Sequence, residues 1–202
     1  MQVVVFTDES LKAELLNSIE TVDEGIVWVE NLSQLEQYKN ADAIVDLLYN
    51  ESHRLQLESL LPALIVINSV EQNLQETNLS FVRINGWKTF LQPSITEAST
   101  IKEENKTKAQ EVFSFFQKKL EWVPDEIGFI TPRVVSMIIN EAFIALKEGV
   151  STKGEIDTAM KLGTNYPYGP FEWAEKIGVE KIKSLLDKLS MQEKRYASFV
   201  SV

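Results

Sequence analysis

The sequence offers few side chains that could carry chemistry. It has no cysteine and a single histidine, His53, among 202 residues. A disulfide, a thiolate nucleophile and a metal site built from cysteines or several histidines are therefore excluded. The 30 acidic residues outnumber the 20 basic ones, which gives a formal net charge of −10. Such a chain repels phosphate backbones, so we expect no nucleic-acid partner.

The composition is that of an ordinary globular protein, with 44% apolar and 25% charged residues. The longest apolar run, residues 60–67, has eight residues, whereas a membrane helix needs about 20. Met1 and Gln2 lead directly into a strand-like segment, with no basic region before an apolar stretch. We therefore expect a cytoplasmic protein with neither a membrane span nor a secretion signal.

The first part of the chain is predicted to alternate strands with helices. Apolar runs of strand length occur at residues 3–6, 26–29, 43–48, 63–67 and 79–84. Helical spacing of apolar residues is found at 11–19, 32–38, 52–61 and 103–120. Continuous apolar strands separated by helices are typical of a parallel sheet covered on both faces. We predict an α/β domain over residues 1–127, with helices only beyond about residue 100.

The last part of the chain is predicted to be helical. Six of the eight glycines lie in residues 128–202, and the net charge changes from −11 before residue 128 to +1 after it. A helix is expected to begin with Thr131 as its cap and Pro132 at its first position, and to stop at Gly149. Apolar residues nearly encircle this helix, so it should be buried in this domain or in a dimer.

The helices that follow are marked by their end signals. Thr152 and Glu155 form a capping box for a helix expected to end at Gly163. Residues 166–171, Tyr-Pro-Tyr-Gly-Pro-Phe, predict a rigid turn. Two short helices should come next, at 171–177 and 180–189. We assign residues 128–202 to an all-α domain.

An ordered set of short motifs in this second domain resembles the helical C-terminal domain of the 3-hydroxyacyl-CoA dehydrogenase family. The motifs are Gly-Phe-Ile-x-x-Arg at 128–133, Asn-Glu-Ala at 140–142, Glu-Gly-Val at 148–150, Ile-Asp-x-Ala-Met-Lys-Leu-Gly at 156–163 and Tyr-Pro-x-Gly-Pro-Phe-Glu at 166–172. The resemblance implies that residues 1–127 are a shortened, degenerate Rossmann domain of the NAD-binding type. It also implies a homodimer formed through the helical domain.

Members of the family oxidise the 3-hydroxyl group of acyl-CoA thioesters with NAD, in fatty-acid metabolism. Their cofactor domain needs glycines directly after the first strand, but this chain has Thr7-Asp8-Glu9-Ser10 there. We therefore expect no tight NAD binding. The resemblance leaves Glu30 and Asn68 as candidate cofactor ligands and Ser69 as a candidate substrate ligand.

The catalytic dyad of the family, a histidine oriented by a glutamate, is incomplete in this sequence. Thr89 stands at the histidine position, in Thr-Phe-Leu-Gln-Pro, and Glu97 is the candidate for the glutamate. Threonine cannot act as a base near pH 7. Val70 replaces the serine that contacts the substrate hydroxyl. His53 falls close to a cofactor-contacting lysine of the family, although we expect it to be a surface helix residue.

Three hypotheses follow from these residues. In the first, the chain is a family member that keeps the scaffold and an acyl-CoA or other ligand cleft without hydride transfer. In the second, it is an active NAD-dependent dehydrogenase with displaced site residues. In the third, it is a non-enzymatic dimeric interaction protein. The altered site residues argue against the second hypothesis but do not separate the first from the third.

Overall fold

The computed structural model describes residues 1–17, 19 and 22–200. The chain divides into two compact units, Met1–Glu126 and Ile127–Val202. The first unit holds a seven-stranded sheet with helices around it, and the second is built of helices. The predicted fold class, a Rossmann-like parallel sheet followed by a helical part, is confirmed.

The sheet of the first unit has the strand order β2-β1-β3-β4-β5-β6-β7. All neighbouring strands run parallel except β5 and β6, which are antiparallel. The strands are β1 Val3–Phe6, β2 Ile26–Val29, β3 Ala43–Asp46, β4 Leu64–Asn68, β5 Val82–Ile84, β6 Ile95–Thr100 and β7 Lys119–Trp122. The helices of this unit are α1 Glu9–Leu15, α2 Arg54–Glu58, α3 Leu74–Thr77 and α4 Asn105–Ser114, with 3-10 helices at Leu32–Tyr38 and Glu51–His53.

Both faces of the sheet are buried, which explains why β1 is apolar throughout and why β3 and β4 are apolar up to their last residues. Val3 and Val5 of β1 point into one core with α1 and α4, whereas Val4 points into a second core with Leu57 of α2. Each of these four side chains is fully buried. Side chains that alternate between two cores give no polar face, so the apolar runs of the sequence locate β1 to β4.

The prediction of helices only beyond residue 100 is wrong. The helix expected over residues 103–120 ends at Ser114, and the chain then reverses through Gln117, which adopts a left-handed conformation with φ of 52°. It returns as β7, where Leu120 is buried and Lys119 is exposed. Strand β6 was not predicted either, because its sequence Ile-Thr-Glu-Ala-Ser-Thr is largely polar.

The described part of the second unit contains four α-helices, α5 Thr131–Lys147, α6 Lys153–Thr164, α7 Pro170–Ile177 and α8 Val179–Gln192, and a 3-10 helix at Lys194–Tyr196. The predicted capping box of α6 is present, since the Thr152 side chain accepts from the Glu155 amide. The buried carboxylate of Asp157 accepts the amides of Phe171 at 2.8 Å and Glu172 at 3.3 Å. One turn of α6 therefore caps the start of α7, and a Cβ at Gly169 would overlap Asp157.

Two predicted details of these helices are wrong, and the expected burial of α5 on every side is not reached within the unit. Helix α5 begins at Thr131 itself, and its cap is Ile130, with no side-chain hydrogen bond. Helix α6 runs through Gly163 and ends at Thr164, because Asn165 supplies the left-handed residue with φ of 57°. Only one face of α5 is buried within the unit, and Val134 on another face is 53% exposed.

Across the part of the chain that the structure describes, none of the helices has both the length and the apolar character that a membrane crossing requires.

Candidate functional site

The carboxyl edge of the sheet is where a ligand site is expected. The chain passes from β1 to β2 on one side and then to β3 on the other side of β1, so the strand order reverses between β1 and β3. Open α/β sheets bind ligands outside the carboxyl ends of their strands at such a point. The predicted residues Glu30, Asn68 and Ser69 follow or end strands β2 and β4 at this edge.

The turn between β1 and α1 already satisfies its own helix terminus. Asp8 caps α1, and its Oδ1 accepts from the Leu11 amide at 2.8 Å. Glu9, the first helical residue, pairs with Lys12 at 3.1 Å. A carboxylate thus occupies the place where a glycine-lined turn would offer amides to a pyrophosphate. These residues do not fit a dinucleotide phosphate.

Glu30 lies directly after β2 and is exposed. Its backbone amide and that of Asn31 both donate to Gln34 Oε1, at 3.1 Å each. These bonds fix the start of the 3-10 helix and leave the Glu30 carboxylate at the surface. Its role as a ribose ligand stays a prediction.

Asn68, at the end of β4, joins three strand ends. Its Nδ2 donates to Leu47 O after β3 and to Gly86 O after β5, both at 3.0 Å, and its Oδ1 accepts from Gly86 N at 2.9 Å. A Cβ on residue 86 would lie 2.6 Å from Asn68 Cγ, which is why glycine stands there. All amide atoms of Asn68 are therefore bonded within the protein.

Ser69 is buried and belongs to a loop held by Arg83. The Ser69 hydroxyl donates to Gln72 O at 3.2 Å. The fully buried guanidinium of Arg83, on β5, donates to the carbonyls of Ser69 and Gln72 at 3.0 and 2.8 Å and to the carbonyl of Glu126. Its Nε contacts Asp125 Oδ1 at 2.6 Å. No local pattern predicts this pair, because its partners lie 42 residues apart.

Glu97 lies on β6 and is bonded to Asn85, next to Gly86. Asn85 Nδ2 donates to Glu97 Oε2 at 3.1 Å, and the Asn85 amide donates to Glu97 O at 3.0 Å. Among the described residues, the buried Oδ1 of Asn85 has no hydrogen-bond partner. The structure thus links Glu97 and Asn68 through consecutive residues at the carboxyl end of β5.

Thr89, at the position of the family's histidine, has an unusual backbone. Its φ is +77°, a region that β-branched residues rarely occupy, and its amide donates to Glu14 Oε2 at 2.7 Å. Within the described ranges, its buried hydroxyl has no hydrogen-bond partner. Strained residues of this kind cluster at functional sites, but a threonine there offers no base.

The expectation that His53 is a surface residue is wrong. Its ring is buried, and Nδ1 lies 2.7 Å from Oδ2 of the fully buried Asp46, the last residue of β3. Burial raises the pKa of Asp46 to about 6. The register pairs Asp46 with Phe6, so the Asp46 carboxylate and the His53 ring beside it lie next to the carboxyl ends of β1 and β3. A polar residue ending the apolar run Ala-Ile-Val-Asp was the one signal in the sequence.

The comparisons with known proteins agree with the helical resemblance. The family described as "3-hydroxyacyl-CoA dehydrogenase, C-terminal domain" matches residues 128–200. The 3-hydroxyadipyl-CoA dehydrogenase of Escherichia coli is 47% identical over 76 residues, which are 37% of this chain and 16% of that protein. A 3-hydroxybutyryl-CoA dehydrogenase of Clostridioides difficile is 37% identical over 76 residues, or 36% of this chain and 27% of that protein.

The aligned segment therefore spans well under a third of these curated relatives. The likeness of the folds extends further. The crystal structure of an (S)-3-hydroxybutyryl-CoA dehydrogenase from Ralstonia eutropha superposes on 98% of this chain and 90% of its own, with a TM-score of 0.70 and 18% sequence identity. Residues 128–200 are therefore similar to the C-terminal domain of 3-hydroxyacyl-CoA dehydrogenases, and the first unit shares their fold.

Proposed function

We propose that the chain is a 3-hydroxyacyl-CoA dehydrogenase-like protein of acyl-CoA metabolism that binds an acyl-CoA ligand without conventional NAD-dependent hydride transfer. The observation that carries the proposal is the contact of Asp8 Oδ1 with the Leu11 amide at 2.8 Å. A dinucleotide would have to displace this carboxylate and then bind beside Asp8 and Glu9. Losing charge-assisted hydrogen bonds worth about 1.5–3 kcal/mol each would move a micromolar affinity toward the millimolar range.

The candidate catalytic groups support the absence of hydride transfer. Thr89 cannot take a proton near pH 7, and general-base catalysis is worth about 10²–10⁴ in rate. His53, the chain's single histidine, has both ring nitrogens facing partners, Asp46 at 2.7 Å and Asn50 at 2.6 Å. Glu97, the candidate for the glutamate of the family's dyad, accepts a hydrogen bond from Asn85.

Acyl-CoA is the proposed ligand because the relatives named above act on CoA thioesters, as their names state. The helical unit keeps their sequence most closely, including the turn at residues 166–171. Within this unit, the ring centroids of Phe143 and Phe171 lie 5.0 Å apart. This packing helps to fix the position of the turn.

Calorimetric titration of the purified protein with NAD and, separately, with short and long acyl-CoA compounds tests the proposal. We expect heat from acyl-CoA alone. A dissociation constant for NAD at or below about 10 µM would support a dehydrogenase with displaced site residues. Binding of neither ligand would support an interaction protein.

The corresponding activity assay follows NADH formation or consumption with the same acyl-CoA compounds. We expect no turnover above background in the natural protein or in a Thr89→His variant, because the histidine alone would still lack a cofactor site. Saturable turnover near about 1 s⁻¹ in either protein would contradict the proposal.

We also propose that the chain forms a homodimer through its helical unit. The support is an apolar groove of about 500 Å³ on α5, whose lining includes Val134, Met137 and Ile138. Val134 is 53% exposed and Ile130, at the start of the helix, is 58% exposed. Covering this face in a dimer would bury apolar surface, and each Å² removed from water stabilises the dimer by roughly 25 cal/mol.

Light scattering at micromolar concentration should give the mass of a dimer. A Val134→Glu variant should give the monomer mass, because it places a charge in the covered face. Met191→Glu is the matched control, since Met191 on α8 is 85% exposed and outside the groove. A monomer in the natural protein, or dissociation by Met191→Glu alone, would refute this interface.

A further inference from the structure

The imidazole of His53 lies against the sheet at the point where its strand order reverses. Its centroid is 5.7 Å from the ring of Phe6, which ends β1, and 6.2 Å from the ring of Tyr49, which meets it edge-on. Asp46 ends the neighbouring strand β3 and is fully buried. The His53 ring thus bridges the strand ends and the 3-10 helix Glu51–His53 to which it belongs.

The hydrogen bonds around the ring assign its tautomer. Asn50 Oδ1 accepts from the amide and the hydroxyl of Ser52, at 3.1 and 2.5 Å. The other end of the Asn50 amide, Nδ2, therefore faces His53 Nε2 at 2.6 Å. Nδ2 is only a donor, so Nε2 must accept and the ring proton must sit on Nδ1, where it is donated to Asp46.

An added proton cannot enter this arrangement without breaking one of its bonds. On Nε2 it would set two donors 2.6 Å apart. On Asp46 Oδ2 it would force the ring proton onto Nε2, with the same conflict. Asp46 Oδ1 already accepts from the Leu48 amide at 2.9 Å. Only one protonation state of the pair is therefore fully hydrogen-bonded.

The groups around the pair lie on its own segment and on the two neighbouring strands. Glu51, on the same segment, accepts from the Tyr49 hydroxyl at 3.2 Å and pairs with Arg54 at 3.4 Å. From β1 the ring meets the uncharged Phe6, and from β3 it meets Asp46. Burial raises the pKa of Asp46 to about 6.

Proton uptake would be transmitted through Asn50, which caps the 3-10 helix that continues into α2. If its amide turns to offer Oδ1 to a protonated ring, the Ser52 amide loses its acceptor. Further along the same segment, Gln56 Nε2 donates to Leu32 O at 2.8 Å, just after β2. This bond couples the segment to the loop that carries Glu30.

We propose that Asp46, His53 and Asn50 form a proton-binding site that fastens residues 50–58 to the carboxyl edge of the sheet at neutral pH and loosens them when a proton binds. The site acts next to the strand ends where a ligand is expected, so acidification would open this part of the edge. It does not depend on which ligand the protein takes.

Nuclear magnetic resonance tests the proposal directly, because the chain has one histidine and its ring signals need no assignment. Long-range nitrogen spectra at pH 7.5 should show a proton on Nδ1 and none on Nε2. Between pH 8 and 4.5, the ring and the backbone amides of Ser52 and His53 should shift with one common midpoint. A ring protonated on Nε2 at pH 7.5, a ring that does not titrate, or separate midpoints would overturn the proposal.

An Asn50→Asp variant provides the decisive second measurement. Aspartate caps a helix as well as asparagine does, but it accepts a proton from Nε2 instead of opposing it. The midpoint should rise by at least about one pH unit, a tenfold change in proton affinity, and Ser52 should keep its acceptor when the ring is charged. Asn50→Ser, which keeps a capping oxygen and removes the amide, is the control. An unchanged midpoint in Asn50→Asp would also refute the proposal.

Discussion

Replacing Arg83 by methionine should destabilise the first unit by about 3–5 kcal/mol, the usual cost of leaving one partner of a buried ion pair behind. The side chains of Arg83 and Asp125 are 0% and 4% exposed. The variant removes the guanidinium donor from the carbonyls of Ser69, Gln72 and Glu126, of which Gln72 keeps the Ser69 hydroxyl. Asp125 would keep only the amides of α3 as partners.

Asp125→Asn should cost less, about 1.5–3 kcal/mol, because an amide oxygen can still accept from Leu74 and Gln75, now at 2.8 and 3.1 Å. The double variant should then cost less than the sum of the two single variants. The difference should be about 1–3 kcal/mol, as expected for groups in one network.

Urea unfolding followed by tryptophan fluorescence measures these free energies, since Trp28, Trp87 and Trp122 belong to the first unit. Arg54→Met is the matched control. The ion pairs of Arg54 with Glu51 and Glu58 are exposed and should contribute less than about 1 kcal/mol. A loss below about 1 kcal/mol in Arg83→Met, or additivity within about 0.5 kcal/mol, would refute the reasoning.

Three further predictions concern local features. The Thr89→Gly variant should be more stable than Thr89→Ala by about 1 kcal/mol, because φ at this position is +77°. At Ser114 in α4 the alanine variant should be the more stable one by a similar amount. Urea unfolding of these four variants measures both differences. Asp157→Ala should cost about 1.5–3 kcal/mol in thermal or urea unfolding of the second unit, and Asp187→Ala, at an exposed pair, should cost under about 1 kcal/mol. Hydrogen bonds from Ser151 and Thr152 lower the pKa of Glu155 to about 2. The Glu155 carboxylate should therefore stabilise α6 fully above the ordinary pKa of a glutamate, and this stabilisation should be lost as the pH falls through about 2. Amide exchange in α6 should show the loss, and the Glu155→Gln variant should show no such pH dependence.

The sequence was informative where one local pattern determines the structure. Strands β1 to β4 are apolar runs, with polar residues only at the ends of β3 and β4, because both faces of the sheet are covered. The Thr152–Glu155 capping box depends on residues three apart. Strand β7 was missed because Lys119-Leu120-Glu121-Trp122 is short and half polar, so the helical spacing before it seemed to continue.

The candidate site was harder to predict because its contacts depend on strand register. The His53 ring meets Phe6 because β3 pairs with β1, and Arg83 reaches Asp125 across 42 residues of sequence. The resemblance to a family supplied Glu30, Asn68, Ser69 and Glu97 by position, and it could not reveal that Asn68 would be bonded on all sides.

The two outer strands of the sheet have a consequence for aggregation. An edge strand presents unpaired backbone groups to which a strand of another molecule can add. Here β2 and β7 have four residues each, and β7 carries Lys119 and Glu121 with side chains 70% and 56% exposed. The shortness of both edge strands and the charges on β7 oppose the long in-register pairing that amyloid fibrils require. The sheet, which is covered by an apolar core on each face, is thereby protected from pairing with the edge strands of other molecules.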